Sequence, residues 1–440
     1  MSASYRSADA IAHGTTRVLW RWRSLVKVAI ALWLFSVVGD RLLGPTATNA
    51  VIWLGIFAVL LHPATRRRVG GWWKVQRLRQ RLERAFQRIG DEPFATRPAE
   101  VVGFSESVLG DALDVRLRPG TSVTELERSV EHLAAYFGVR EVRVQRHAED
   151  ASRARLLLVR QSAFKGLAVQ WPLEGLTSWR FDVPLPVGID EEGAEAECML
   201  VGHHLLVGGE PGAGKSNALS LVIAAAALDP RVRLHLLDGK LVELAAWSPC
   251  AASFVGPSLD DAIALTDELR MRMDERYSRL LDAGRRKVEP NDPDGLDLVV
   301  CDELALYLSN GDKKACTRFA EGFRDLVARG RAAGVILVAG TQKPSVDIVP
   351  SSIRDLFGYR WAMRCATREA SDTILGSGWA GLGYSAADID AGTRGAGLLL
   401  HEGGTPIRLR AYHLDDDGLA AVVGRAARIR HALPGGGGTR

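Results

Sequence analysis

Residues 208–217 read GGEPGAGKSN. It fits G-x-x-x-x-G-K-[ST], a pattern in which glycines let successive backbone N–H groups turn toward one phosphate. The apolar run HLLVGG before it is typical of a strand, and NALSLVIAAAAL after it contains helix-forming residues without a breaker. Strand, glycine-rich loop and helix in this order predict a phosphate-binding loop at a helix N-terminus.

The predicted nucleotide-binding residues are this loop and one acid downstream. Lys215 is expected to reach the β- and γ-phosphates of ATP, and Ser216 to hold Mg²⁺ together with Asp302. A glycine-rich turn with a stray lysine is the alternative, and the strand and helix around the loop argue against it. The full predicted set is Gly209, Glu210, Pro211, Gly212, Ala213, Gly214, Lys215, Ser216, Asn217 and Asp302.

Residues 296–303, LDLVVCDE, form an apolar run that ends in two acids. A buried strand ending in adjacent carboxylates suits hydrolysis of ATP, because Asp302 can hold the Mg²⁺ and Glu303 can orient or deprotonate the attacking water. Two acids at a strand end could instead cap the next helix. With the phosphate loop upstream, the pattern favours an ATP hydrolase over a kinase, which needs no activated water.

Two further apolar runs fit the same sheet, VRLHLLDG and GVILVAGTQ. The second ends at Gln342, a polar residue that we expect to sense the γ-phosphate. Alternating strands and helices predict an α/β fold with a mostly parallel sheet and its ligands at the carboxyl ends of the strands.

Four arginines near these strands have two interpretations each. Arg331, in VARGRAAG, is either a surface arginine at a helix end or an arginine finger offered to the ATP of a neighbouring subunit. Arg360, Arg364 and Arg368 lie either near the nucleotide or in structural contacts. The sequence leaves these alternatives open.

Charge and composition divide the chain. Residues 1–100 contain 16 Lys and Arg against 6 Asp and Glu, whereas the remainder contains 40 against 46. Five cysteines form no C-x-x-C pair and no cluster with histidine, so neither a disulfide framework nor a zinc site is indicated. The N-terminal part is therefore basic, and the catalytic part is expected in a reducing cytoplasm.

Two apolar runs, residues 26–39 and 46–62, lie in this basic part and are joined by a short linker with Gly44 and Pro45. Each is near the short end of what a membrane helix needs. Basic residues precede the first run and follow the second, which places both chain ends in the cytoplasm by the positive-inside rule. A transmembrane hairpin in the inner membrane is predicted; two buried helices of a soluble domain are the alternative. The basic segment after it is expected to contact lipid headgroups or nucleic acid.

Residues 98–161 show a strand, helix, strand, strand pattern. SVTELERSVEHLAAYFGV opens with a capping box of Ser122 and Glu125, and VREVRVQRH with ARLLLVRQ predicts a hairpin. No catalytic constellation is present, so a small α+β module for assembly or linking is expected.

Several ordered stretches together resemble the FtsK/SpoIIIE family of membrane-anchored DNA translocases. They include HLLVGGEPGAGKS, LLDGKLVEL, MRMDERYSRLLDAGRRK, VVCDELA and above all GRAAGVILVAGTQKPSVDIV followed by SSIRDLFGYRWAMR. The resemblance implies a RecA-like motor that assembles as a ring, usually a hexamer, around double-stranded DNA. It also implies a membrane anchor, ATP and Mg²⁺ as cofactors, and Gln342 as the sensor.

The compact domain organisation of this chain is similar to that of the transfer proteins of conjugative elements in mycelial bacteria, which move double-stranded DNA between cells. The C-terminal GGGGTR after a short helix is too short for the DNA-reading domain of the chromosomal relatives. A protein-export motor, or a coupling protein for single-stranded DNA and its relaxase, are the alternative functions. The direction of transport and the ring size are left open.

The predicted organisation has six parts. They are a cytoplasmic N-terminus (1–23), a transmembrane hairpin (24–63), a basic juxtamembrane segment (64–97), the α+β module (98–180), the RecA-like ATPase motor (181–414) and a short helix with a glycine-rich tail (415–440).

Overall fold

The computed structural model describes residues 76–86 and 99–431, apart from residues 108–109, 148, 161–163, 165, 167, 310–311 and 343–348. The chain forms two compact units, Met1–Val101 and Val102–Arg440. In the first unit a helix covers residues 76–86, and its Leu82, Ala85 and Phe86 are buried. The hairpin predicted over residues 24–63 lies outside the described residues. Among the helices that are described, none combines the length and the apolar character that crossing a membrane requires.

A four-stranded sheet with two short helices lies between residues 100 and 159. Its strands are β1 (Glu100–Ser107), β2 (Gly110–Arg116), β3 (Glu141–Arg146) and β4 (Arg153–Val159), in the order β1-β2-β4-β3, and its helices are α1 (Val123–Arg128) and α2 (Val130–Phe137). The predicted capping box is present, with Ser122 and Glu125 bonded reciprocally. The predicted hairpin is the antiparallel pair β3 and β4. The helix expected as one segment is divided at Ser129, and β1 was not predicted.

The larger sheet has ten strands in the described part of the chain. They are β5 (Leu185–Asp190), β6 (Glu195–Cys198), β7 (Leu205–Gly208), β8 (Val232–Leu237), β9 (Ser253–Val255), β10 (Leu296–Cys301), β11 (Val335–Thr341), β12 (Tyr359–Met363), β13 (Ala396–His401) and β14 (Ile407–Ala411). The order across the sheet is β6-β5-β14-β13-β12-β7-β11-β10-β8-β9. Every pairing from β12 to β9 is parallel, and every pairing from β12 to β6 is antiparallel. The mostly parallel sheet that we predicted is thus the half that carries the phosphate loop.

Helices cover both faces of this sheet. They are α3 (Lys215–Ala227), α4 (Leu259–Asp282), α5 (Leu304–Leu308), α6 (Lys313–Arg329), α7 (Ser351–Arg354), α8 (Arg368–Leu375) and α9 (Asp416–His431). Side chains alternate between the two faces along each strand. Accordingly Leu205 and Val207 pack in one core with α3 and α9, whereas Leu206 packs in the other core with α4 and α6. Because both faces are buried, the central strands read as continuous apolar runs.

Strand order decides where the site lies. β11 runs between the loop strand β7 and the acidic strand β10. All three are parallel, so their carboxyl ends meet at one edge of the sheet. The residues that follow these strands are Gly209, Gln342 and Asp302, which come from the predicted loop, sensor and acidic strand.

Candidate nucleotide-binding and hydrolysis site

The phosphate loop enters α3 through a residue that has to be glycine. Gly214 caps the helix with φ +118°, a conformation that side chains disfavour. A Cβ at this position would also lie 2.9 Å from the Cα of Gly395. The first N–H groups of a helix have no acceptor within it, so those of Lys215 and Ser216 are available to an anion.

Other parts of the predicted binding set are engaged by the protein. The N–H of Gly209 donates to the Thr341 carbonyl (3.2 Å), and that of Glu210 donates to the Arg364 carbonyl (3.0 Å). The Asn217 amide donates to the Tyr412 carbonyl and accepts from the Leu414 N–H. Asn217 therefore clamps α3 to the chain after β14, which leaves only its backbone for a phosphate.

Lys215 reaches across β11 to the acidic strand. Its ammonium donates to Oδ1 of Asp302 at 2.5 Å and to the Asp302 carbonyl at 2.6 Å, and both side chains are buried. Gly340 of β11 makes this contact possible, since a Cβ there would lie 2.2 Å from the Asp302 carbonyl and 3.1 Å from Lys215 Nζ. Gly340 was not singled out from the sequence, although its place one residue before the strand's last residue was visible.

Glu303 lies at the start of α5, with 8% of its surface exposed. Both of its carboxylate oxygens accept from the backbone N–H of Gln342, at 3.2 and 3.0 Å. The predicted water-activating acid and the predicted sensor are thus joined directly. Burial raises the pKa of the neighbouring Cys301 thiol well above its usual range, and the charges of Asp302 and Glu303 raise it further.

The oxygen atoms at this edge fit a magnesium ion. Oδ2 of Asp302 is buried and has no hydrogen-bond partner among the described residues. Mg²⁺ prefers oxygen ligands and is usually held by one or two carboxylates with substrate phosphates and waters. Across the described residues no cluster of three or more His, Cys, Asp or Glu side chains could hold a metal alone. Asp302 and Ser216 together with nucleotide phosphates would supply such a site.

Ser216 has a partner that the sequence did not indicate. Its hydroxyl donates to Oε2 of Glu243 at 2.6 Å. Glu243 lies in the segment DGKLVEL that follows β8, and β8 ends at the same sheet edge as the loop. The signal available from the sequence was the position of this acid just beyond a strand of the parallel sheet.

The arginines divide between the two ends of the sheet. Arg364 lies beside the loop, 3.3 Å from the Glu210 carboxylate. Arg360 bonds the Phe357 and Leu375 carbonyls, and Arg368 lies 3.6 Å from Asp388. Of these three, Arg364 is therefore the one next to the nucleotide loop.

Arg331 lies at the far edge of the sheet from its own loop. It donates to the Gly202 carbonyl at 2.7 Å and is 3.3 Å from the Glu402 carboxylate. It precedes β11, whereas Gln342 follows this seven-residue strand, so the strand alone separates them by roughly 20 Å. Arg331 cannot contact a nucleotide bound to the loop of the same chain in this arrangement.

The chain is similar to known proteins. The model of the FtsK/SpoIIIE family matches residues 177–374. DNA translocase SpoIIIE of Bacillus subtilis (strain 168) is 26% identical over 376 residues, which cover 78% of this chain and 44% of that protein. Protein Tra of Streptomyces lividans is 26% identical over 293 residues, which cover 63% of this chain and 45% of that protein. The chain thus spans less than half the length of these relatives.

A solved structure shares the fold. It is titled as the pCW3 conjugation coupling protein TcpA in a monomer form with ATPγS. The TM-score is 0.55 at 17% identity, over 80% of this chain and 99% of that chain. At this identity the likeness concerns the fold alone.

Proposed function

Since the model of the FtsK/SpoIIIE family matches residues 177–374, we propose that the chain is an ATP-driven translocase of double-stranded DNA. The observation that carries the proposal is the meeting of Lys215, Asp302 and Glu303 at one sheet edge, beside the loop that begins α3. A phosphate loop with a buried acid and a second acid held in place is the arrangement that ATP hydrolysis needs.

Each residue has a distinct role in this proposal. Lys215 leaves Asp302 and pairs with the β- and γ-phosphates, while Ser216 and Asp302 hold the Mg²⁺. A bound Mg²⁺ neutralises charge that develops on the phosphates. Glu303 orients the attacking water and takes its proton. Because the Gln342 N–H donates to the Glu303 carboxylate, a movement of Glu303 after phosphate release would also move the backbone at the end of β11.

The position of Arg331 supports assembly into a ring. It lies at the opposite sheet edge from its own loop and is paired with Glu402 at the surface, with 41% of its side chain exposed. An arginine finger in this position serves the ATP of a neighbouring subunit. We therefore propose a homo-oligomeric ring, a hexamer by family resemblance, in which each site is completed by the next chain.

The anchor and the cargo complete the proposal. The apolar runs in residues 24–63 and the basic residues around them support a hairpin in the inner membrane in contact with its lipids, with the motor in the cytoplasm. Transfer of DNA between cells is supported by the similarity to Protein Tra. The negative balance of residues 101–440 favours local DNA contacts in a pore over a broad basic face.

The cargo is tested by ATP hydrolysis of the full-length chain in detergent, with duplex DNA, single-stranded DNA or an unfolded polypeptide added in turn. The proposal predicts stimulation by duplex DNA above the other two. Stimulation by single strands alone would indicate a coupling protein, and stimulation by polypeptide alone would indicate a protein-export motor. Either result would contradict duplex translocation.

The anchor has its own test. A reporter that is active only outside the cytoplasm, fused at Gly44 between the two apolar runs, should be active. A reporter that works only in the cytoplasm should be silent at the same position. The reverse result would refute the hairpin.

A further inference from the structure

Glu243 occupies a place at the nucleotide site that the proposed hydrolysis does not use. Its carboxylate accepts the Ser216 hydroxyl at 2.6 Å, and 27% of its side chain is exposed. It belongs neither to the loop nor to the acidic strand. It enters the site from the segment after β8, on the far side of β10 from β11.

The segment that carries Glu243 has a fixed shape. The buried carboxylate of Asp238 accepts the backbone N–H groups of Lys240 (3.1 Å), Leu241 (2.9 Å) and Leu244 (2.8 Å). Leu241 adopts φ +62°, which leucine avoids unless its surroundings impose it. Leu244, the residue after Glu243, is fully buried. The backbone on both sides of Glu243 is therefore fixed by these contacts, and it places the carboxylate beside Ser216.

The direction of this hydrogen bond matters for a metal. A serine hydroxyl has one proton to donate and two lone pairs to offer, and its rotor is otherwise free. When the proton is directed at Glu243, the lone pairs are directed away from it. A short bond to a charged acceptor holds the rotor more firmly than a bond to a neutral one.

We infer that Glu243 is a positioning residue for Mg²⁺: its carboxylate holds the Ser216 hydroxyl with its lone pairs toward the metal. The inference rests on the proposed function, because it requires ATP·Mg²⁺ to bind at this loop. Glu243 acts through Ser216, as partners of metal ligands do in other sites.

The test is the dependence of ATPγS binding on free Mg²⁺, measured calorimetrically with the full-length chain. Glu243→Ala should raise the Mg²⁺ concentration for half-maximal binding roughly 10- to 100-fold. Binding in EDTA should not change. Glu243→Gln keeps an acceptor oxygen without the charge, so its shift should lie between the wild type and Glu243→Ala. The matched control is Glu197→Ala, an exposed acid on the edge strand β6, which should behave as the wild type.

A double variant separates positioning from bulk structure. If Glu243 acts through Ser216, the double variant with Ser216→Ala and Glu243→Ala should bind ATPγS half-maximally at the same Mg²⁺ concentration as the single variant Ser216→Ala. The unfolding midpoint of Glu243→Ala without nucleotide should equal that of the wild type. If Glu243→Ala fails to fold, the isosteric Glu243→Gln tests the inference instead. The Mg²⁺ concentration at which this variant binds ATPγS half-maximally must still be higher than that of the wild type.

The outcomes distinguish the two proposals. A wild-type chain that binds no ATPγS at any Mg²⁺ concentration overturns the nucleotide site itself. A wild type that binds with Mg²⁺ while the Glu243 variants show the same half-maximal Mg²⁺ overturns the inference alone. Equal loss of binding with and without Mg²⁺ also overturns it, because that pattern belongs to a structural residue.

Discussion

The ammonium of Lys215 lies 2.5 Å from Oδ1 of Asp302, and neither side chain is more than 3% exposed. The two residues proposed to bind phosphate and metal thus neutralise each other in this structure. Separating two buried charges is costly unless each finds a new partner. ATP·Mg²⁺ supplies both partners at once, anionic phosphates for the lysine and a cation for the aspartate.

Lys215→Ala should therefore lower stability as well as nucleotide binding. It leaves the Asp302 carboxylate buried without a counterion, which should cost about 3–5 kcal/mol in the free energy of unfolding. Adding Asp302→Asn removes the unpaired charge, so the double variant should recover most of the loss without recovering ATP binding. Denaturant titration in EDTA checks this. A double variant no more stable than Lys215→Ala would show that the pair does not balance charge.

Glu303→Gln should separate binding from hydrolysis. The glutamine keeps an oxygen for the Gln342 N–H, so the local structure should remain, but it cannot take a proton from water. Hydrolysis should fall roughly 10²- to 10⁴-fold while ATP still binds. Phosphate release and ATPγS binding, measured beside the exposed-site control Glu197→Gln, check this. Hydrolysis at the wild-type rate would remove Glu303 from the mechanism.

Arg331→Ala should leave ATP binding intact and abolish hydrolysis only in assembled chains, because Arg331 lies at the far sheet edge from its own loop. Mixing Arg331→Ala with Lys215→Ala subunits should restore some hydrolysis, since one supplies the loop and the other the arginine. Arg324→Ala, an exposed arginine on α6, is the matched control. No restoration in confirmed mixed assemblies would count against a finger in trans.

His204 should make stability depend on pH. It is fully buried before β7, and its Nδ1 accepts the Leu337 N–H at 3.0 Å. Burial, with a smaller effect of the Arg331 charge, lowers the pKa of His204 to about 3 from the usual value of 6.5. The unfolded chain therefore binds a proton at His204 more readily than the folded chain does. The contribution of neutral His204 to the free energy of unfolding is complete above pH 6.5 and is lost as the pH falls toward 3.

His204→Asn keeps an acceptor for the Leu337 N–H but does not titrate. Below pH 6.5 the wild type should lose unfolding free energy more steeply than this variant, by up to about 1.4 kcal/mol per pH unit. Denaturant titrations at pH 7.5 and pH 5 check the difference. Equal slopes for both proteins would show that His204 does not remain neutral when folded.

Much of the motor could be predicted from local pattern. The strands β7, β8, β10 and β11 are buried on both faces, so each reads as an apolar run that ends in its functional residue. The loop needs glycine at Gly214 for a backbone reason, and such requirements are visible in sequence. The antiparallel strands β5, β6, β13 and β14 were not predicted, and the pairing of β14 with β5 joins distant parts of the chain.

The site was predicted less completely than the fold. Glu243 contacts Ser216 only because β8 ends at the same edge as the loop, a relation that depends on strand order. Gly340 is required because the Asp302 carbonyl and the Lys215 ammonium lie beside it, and the Asn217 amide is bonded to residues almost 200 positions away. None of these contacts has a local signature. The roles assigned to Lys215, Ser216, Asp302, Glu303, Gln342 and Arg331 are proposals.

The most direct measurement is displacement of a third strand from duplex DNA. A linear duplex carrying a triplex-forming oligonucleotide at one end is incubated with the full-length chain, ATP and Mg²⁺, and release of the oligonucleotide is followed. We expect release that requires ATP hydrolysis, is lost in Glu303→Gln and is unchanged in Glu197→Gln. Rapid ATP hydrolysis on the same DNA without release of the third strand would contradict translocation along the duplex.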